Sequence, residues 1–145
     1  MLLGFNGEVG PGKKYFPEDK IPAIKRVMMP RDTNAVGTIF GGVILSEIDL
    51  AAASEAHHHH EGMVVTVSMD KIDFKAPVRV GDLVSFFTET LRIGRSSIKV
   101  KVAVWACRRF GGGKHEYVTE AEVTMVAVDE NFRPTPIASR TGGEG

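Results

Sequence analysis

Asp49 is a carboxylate in an apolar helical pattern, and the Gly41–Gly42 pair stands just ahead of it. A carboxylate can attack a carbonyl or activate water against it, and a glycine-lined helix start can hold the resulting oxyanion. The stretch DTNAVGTIFGGVILSEIDLAAASEA, Asp32 to Ala56, opens on turn-prone residues and continues into a run without Gly or Pro. Its Leu, Ala, Ile and Glu content predicts a helix from about Gly42 to about His58. At about 100° per residue, Leu45, Ile48, Ala52, Ala53 and Ala56 share one broad face, with Glu47, Ser54 and His58 opposite. Asp49 falls between Ala53 and Ala56, on the apolar side. Burying a carboxylate without a partner costs several kcal/mol.

Two readings of Asp49 follow. It is an inert, hydrogen-bonded or ion-paired group at a seam or a wetter edge, or it does chemistry in a largely dry cleft. The Gly pair favours the second. Glycine lets backbone approach a ligand closely. First-turn N–H groups lack intrahelical partners and carry the positive end of the helix dipole, which suits a developing oxyanion. Gly42 and Asp49 are about two turns apart, on the order of 10 Å of helix.

Other reactive residue types read as structural. His57 to His60 includes an i, i+3 pair but sits where the helix should fray, so a metal site is not expected; His also suits a helix C-terminus. Ser46 lacks a G-x-S-x-G context. Cys107 has no recognisable Cys-His partner and reads as a quiet core or interface thiol. Gly111 to Gly113 lacks the Lys-Ser/Thr ending and following helix of a phosphate loop.

The elements that must position Asp49 come from periodicity. Ala23–Met29 is a short alternating strand closed by Pro30, and Asp32–Gly42 is loop and turn. Met63–Phe74 reads as a long strand with Val65, Val67 and Met69 on one face and Val64, Thr66 and Ser68 on the other. Leu83–Ile93 is a second, and Gly94-Arg95-Ser96 marks a tight hairpin. Ile98, Val100, Val102 and Val104 then alternate with Lys99, Lys101, Ala103 and Trp105, and Tyr117–Val128 is the last strand. Residues 1–20 read as a loosely held leader, 21–131 as one domain and 132–145 as an irregular tail.

Short connections favour antiparallel pairing. One helix cannot cover both faces of such a sheet, so the economical architecture is α+β, an antiparallel sheet wrapped around the helix. Lys99, Lys101 and Trp105 would lie on the outer face, which with the sheet edges calls for an oligomer.

Composition bounds the partners. The 145 residues fit one domain, with 43% hydrophobic and 25% charged residues. Zero net charge points away from nucleic acid and anionic membranes. No apolar run nears the roughly 20 residues of a membrane span, and the start of the chain lacks a secretory signal. A single cysteine excludes an intramolecular disulfide framework, and a cytoplasmic location is expected.

Four ordered blocks carry a resemblance: MPRDTNAVGTIFGGVILSEID, VVTVSMDKIDFKAPVRVGD, GRSSIKVKVAVW and VTEAEVTMVAVDE. From about Val27 to about Asp129 the chain resembles the hotdog-fold acyl-CoA thioesterases, and more narrowly the YciA and brain-type acyl-CoA hydrolase branch. The resemblance implies a hotdog subunit, homodimers with composite sites, and commonly a trimer of dimers. It assigns Asp49, in an S-x-x-D pattern with Ser46, as the catalytic carboxylate. Asn34 would serve the site shared with the neighbouring subunit, facing that protomer's acidic residue. Phe40-Gly41-Gly42 matches the aromatic-Gly-Gly turn, with the Gly42-side N–H on the thioester carbonyl; Phe40 replaces the His of some relatives. Thr66 and Phe74 match the strand along the pantetheine arm, and Gly94, Arg95, Ser96 and Ser97 the hairpin near the CoA nucleotide, where Arg and hydroxyls can bind phosphate oxygens. Lys75 stands where relatives vary.

The implied reaction is acyl-CoA hydrolysis to free acid and CoA without a cofactor, by general-base or nucleophilic attack. Two other readings compete. A non-catalytic acyl-CoA sensor acting as a regulator would need a DNA-binding segment, for which neither the leader nor the tail has the helices or the basic charge. A hotdog dehydratase would want a His in the site, and outside the tetra-His run the chain offers only His115, in the loop after Gly113.

Overall fold

The computed structural model describes residues 14–138. The elements are β1 (Ile24–Val27), a 3-10 turn (Pro30–Asp32), α1 (Gly41–Ala56), β2 (Met63–Asp70), β3 (Leu83–Ile93), β4 (Ser97–Cys107) and β5 (His115–Val128). The five strands form one sheet in the order β1-β3-β4-β5-β2, and every neighbouring pair is antiparallel. The sheet curls around α1, as expected of a hotdog fold.

The alternation along β4 does what its pattern dictates. Ile98, Val100, Val102 and Val104 are fully buried against α1 together with Val84, Phe86 and Val123. Lys99 and Lys101 face outward and pair across strands with Glu122, Glu89 and Glu120. Such surface pairs contribute little each. The helix buries Ile44, Ile48, Ala51, Ala52 and Ala56, and its alanines let the sheet come close. Leu45 and Ala53, expected on that face, are only half-buried, so the buried stripe is rotated towards Ile44 and Ala51. Asp49 therefore sits at the flank of the buried stripe.

Two strand expectations need correction. β2 stops at Asp70 rather than running to Phe74, because Lys71 takes a left-handed conformation (φ 63°) that ends the ladder. Its strict alternation is broken by a bulge between Thr66 and Ser68. Val64, Thr66 and Met69 are the residues opposite Ala127, Met125 and Val123, the inward positions of β5. The extra residue of a bulge re-aims the side chains on either side of it. Here it puts Thr66 on the helix side.

Both ends of the described chain are held. Phe16 stacks on His115 at 3.7 Å and meets Phe87 and Trp105 edge-on, covering the outer sheet face. The segment after β5 crosses the β3–β4 hairpin: the N–H of Ile137 donates to the Arg95 carbonyl, and that of Ala138 to His60 Nδ1. Among the described residues, no helix is long and apolar enough to cross a membrane.

Candidate active site

Asp49 and Thr66 meet at the middle of α1, and Phe74 stands against the Phe40-Gly41-Gly42 turn at its start, about two turns away. Asp49 projects from the helix flank towards β2, and the bulge turns Thr66 to meet it. The Thr66 hydroxyl donates to Asp49 Oδ1 at 2.5 Å. That bond engages one oxygen, Oδ1, of a half-buried carboxylate.

The turn is built for close approach. Phe40 is the N-cap of α1 in extended conformation, and it has no side-chain oxygen with which to cap the helix. Its carbonyl takes the N–H of Val43, while the earlier first-turn N–H groups are left for partners outside the helix. A Cβ on Gly42 would stand 2.8 Å from the Phe40 ring, and one on Gly41 would touch the ring of Phe74 at 3.8 Å. Two aromatic rings thus flank the turn, and a Cβ at Gly42 would have to displace the exposed Phe40 ring. Phe74 lies in the loop after β2, not in the strand. That loop is pinned by Thr119, which donates to the Asp73 carbonyl, and by the Lys75 N–H bonded to the Val118 carbonyl.

Asn34 and the hairpin stay apart from this group within one chain. The Asn34 side chain organises its own loop, accepting from the N–H groups of Val36 and Thr38 and donating to the Thr38 hydroxyl. Gly94 to Ser97 closes the β3–β4 hairpin, with Gly94 N–H on the Ser97 carbonyl and the Arg95 side chain exposed. The same hairpin is tied through Ile137 and Ala138 to His60, just beyond the C-terminal end of α1. A 16-residue helix spans about 24 Å, so Gly94–Ser97 and Gly41–Gly42 lie at opposite ends of it.

The remaining reactive residues have structural partners. Ser46 donates back to the Gly42 carbonyl. Cys107 is half-buried and donates to the Gly113 carbonyl. His59 bonds Thr90, His58 lies 3.7 Å from Glu55, and His115 stacks on Phe16 at the outer face. Among the described residues, no cluster of His, Cys, Asp and Glu could hold a metal ion. Tyr117, also on the outer face, has its phenol pushed up to about 12 by burial, with Glu120 and Asp73 adding to the rise.

A second carboxylate under α1 is absent from the sequence expectations. Glu55 accepts the hydroxyls of Thr88 at 3.0 Å and Thr90 at 2.6 Å. Its signal lay in the helical wheel: with the buried stripe centred near Ile48, Glu55 falls inside it.

Comparison with known proteins agrees with this fold. Residues 36–108 match the model of the thioesterase superfamily. The chain is 36% identical over 116 residues to the acyl-CoA thioester hydrolase YciA of Salmonella typhimurium, covering 79% of this chain and 87% of that one. A hexameric hotdog fold thioesterase of Campylobacter jejuni superposes with a TM-score of 0.76 at 45% identity, over 81% of this chain and 90% of its own. HI0827, a hexameric broad specificity acyl-coenzyme A thioesterase, gives 0.79 at 40% identity over 86% and 85%. With a curled sheet around one helix, a matched family model and relatives of this identity over most of both chains, the protein belongs to the hotdog-fold thioesterase superfamily, in its YciA-like branch.

Proposed function

We propose that this chain hydrolyses acyl-CoA thioesters to free acid and CoA, with Asp49 as general base or nucleophile. The observation that supports this most directly is the 2.5 Å bond from Thr66 that holds Asp49 on the helix that the Gly-Gly turn opens. A thioester carbonyl placed at that turn would meet the free first-turn N–H groups, the Gly42 side included, as its oxygen gains charge. Asp49 then takes the proton of an attacking water, or attacks the carbonyl itself to give a mixed anhydride that water later opens. In either course the C–S bond breaks and CoA leaves as thiolate, so no strong general acid is required, and no cofactor enters the reaction. Phe40, Gly41 and Phe74 line the approach of the pantetheine arm. Thr66, whose hydroxyl is committed to Asp49, supports the carboxylate as well as that wall.

The site is completed by a second subunit. In one chain the groove is fringed by exposed Phe40 (57%), Leu50 (59%) and Val67 (57%), an apolar rim that calls for cover. Asn34 from the neighbouring protomer would face Asp49 and orient water or substrate. The separation of Gly94–Ser97 from Gly41–Gly42 along α1 suits a nucleotide held at some distance from the bond that breaks, with Arg95, Ser96 and Ser97 on its phosphates. Two solved relatives are named as hexameric, and a trimer of dimers is the assembly proposed here.

Thiol release from a panel of acyl-CoAs, compared between wild type and Asp49→Ala, tests the reading. Hydrolysis predicts rapid release by the wild type and a loss of roughly a hundredfold or more in the variant. A sensor would bind acyl-CoA without turnover in either form, and a dehydratase would alter the acyl chain without freeing CoA. Oxygen-18 labelling under single turnover separates the two modes of attack, since only anhydride formation places label in the Asp49 carboxylate.

A further inference from the structure

Three elements meet at Arg26. Its Cα lies on β1 opposite Val84, and its guanidinium forks between two other parts of the fold. Nη1 donates to Glu47, in the second turn of α1, at 2.7 Å. Nη2 donates to Asp32, in the 3-10 turn, at 2.9 Å. Both carboxylates are largely shielded, with side chains 15% and 7% exposed.

Asp32 anchors the segment that leads into this end of the helix. Its second carboxylate oxygen accepts the Met29 N–H at 2.9 Å. Its carbonyl accepts the N–H of Phe40, the residue that starts α1, at 2.8 Å. The excursion between them is closed at its neck by that bond and by the Thr33–Ile39 bridge. Asn34 folds inside the excursion through its bonds to Val36 and Thr38. Asp32 is thus one of two ties of this segment, the Ile39 N–H on the Val78 carbonyl being the other, and Arg26 joins Asp32 to the body of the helix that carries Asp49.

We infer that Arg26 is a positioning residue: by bridging Asp32 and Glu47 it keeps the Gly41–Gly42 N–H groups and Asn34 in register with Asp49, without touching substrate. The inference rests on the acyl-CoA hydrolase reading. A guanidinium holds two carboxylates in a fixed relation, because its planar fork presents donors along both directions at once. A lysine keeps the charge and loses the fork. An apolar residue leaves Asp32 and Glu47 facing each other with like charge, which pushes the turn away from the helix.

The test measures kcat, KM and thermal midpoint for Arg26→Met, Arg26→Lys and the double variant Arg26→Met/Glu47→Gln, beside wild type and Asp49→Ala. A displacement on the order of 1 Å between oxyanion donors and nucleophile costs roughly ten- to hundredfold in rate. Arg26→Met is expected to lose about that much kcat, with KM within about twofold and a lowered thermal midpoint. In the double variant the repulsion is gone, so the midpoint returns most of the way while kcat stays low. Arg26→Lys keeps its midpoint and loses part of its kcat. If kcat recovers in step with the midpoint in the double variant, or if Arg26→Lys turns over like wild type, Arg26 is only structural and the inference is overturned. Should Arg26→Met not fold, the other two variants decide. Failure of the hydrolase reading looks different: the wild type would then release no more thiol than Asp49→Ala.

Discussion

Replacing Thr66 by Val isolates the contact on which the proposed chemistry turns. Valine has the same branched shape and suits the β2 backbone, so the change removes one hydroxyl and little else. That hydroxyl donates to a carboxylate at 2.5 Å, and hydrogen bonds to charged groups contribute about 1.5–3 kcal/mol. Thr66 is exposed in the single chain and Asp49 half-buried, so solvent competes and a value of about 1–2 kcal/mol is the better expectation. If the bond holds Asp49 in its attacking direction, that loss appears in the barrier. At about 1.4 kcal/mol per factor of ten it amounts to roughly five- to thirtyfold in kcat. KM for a saturating acyl-CoA should move by less than about threefold, since the remaining contacts with the pantetheine arm are untouched. Thr66→Ser should recover most of the rate, because it restores the donor. Steady-state thiol release with one acyl-CoA at several concentrations reads both constants. A Thr66→Val enzyme with unchanged kcat would refute the reasoning, and so would one whose only defect is a raised KM.

Gly42→Ala should separate stability from turnover. Alanine in a helix is worth up to about 1 kcal/mol over glycine, while its Cβ would stand 2.8 Å from the partly exposed Phe40 ring and push it aside. The expected outcome is a thermal midpoint at or above that of the wild type and a kcat reduced at least tenfold; equal rates in both proteins would remove the Gly-Gly turn from the mechanism. Tyr117 makes a prediction about alkaline stability. Its folded phenol is raised to about 12, whereas the unfolded one ionises near 10. Its contribution is therefore fully present below pH 10 and lost as pH climbs from there towards 12, because the unfolded chain gives up the proton first. Chemical denaturation at pH 9 and pH 11 should show a smaller loss of stability in Tyr117→Phe than in the wild type, and parallel losses would contradict the assignment.

The sheet was legible because β4 and β5 bury one side only. Ile98, Val100, Val102 and Val104 alternate with lysines, and no other period fits them. β2 was misread because its alternation is interrupted: the bulge at Val67 inserts a residue, and a pattern of two cannot show where the face changes. That same bulge makes the Thr66–Asp49 contact, so the least regular piece of the sheet is also the one nearest the candidate chemistry. Asp49 was found as a misfit of the helical wheel, and the Gly41–Gly42 turn by its lack of side chains. Glu55 is an equal misfit once the stripe is centred correctly, but counting Leu45 and Ala53 into it moved the apparent centre away. Arg26 offered no signal at all. Its role depends on a turn, a strand and a helix meeting in space, and a lone arginine in a short strand reads as an exposed charge.

The division of the groove along α1 explains why a single subunit looks unfinished. The first turn of α1 supplies open N–H groups and its middle a carboxylate held by Thr66, while the polar hairpin joins β3 to β4 beyond the helix's other end. Leu50, next to Asp49, and Val67, next to Thr66, are apolar and exposed, as is Phe40 at the helix start. The edge of β2 next to them has ladder partners on the β5 side only. A soluble monomer would protect such an edge with charge or a covering loop. Leaving it apolar and bare beside the nucleophile makes sense if a second copy docks there, excludes water from the thioester and brings Asn34 of its own. Dissociation should then abolish turnover before it unfolds the subunit. Dilution series read in parallel by thiol release and by circular dichroism would show activity lost at concentrations where the helix and sheet signals persist, and activity that follows the monomer would defeat the composite-site account.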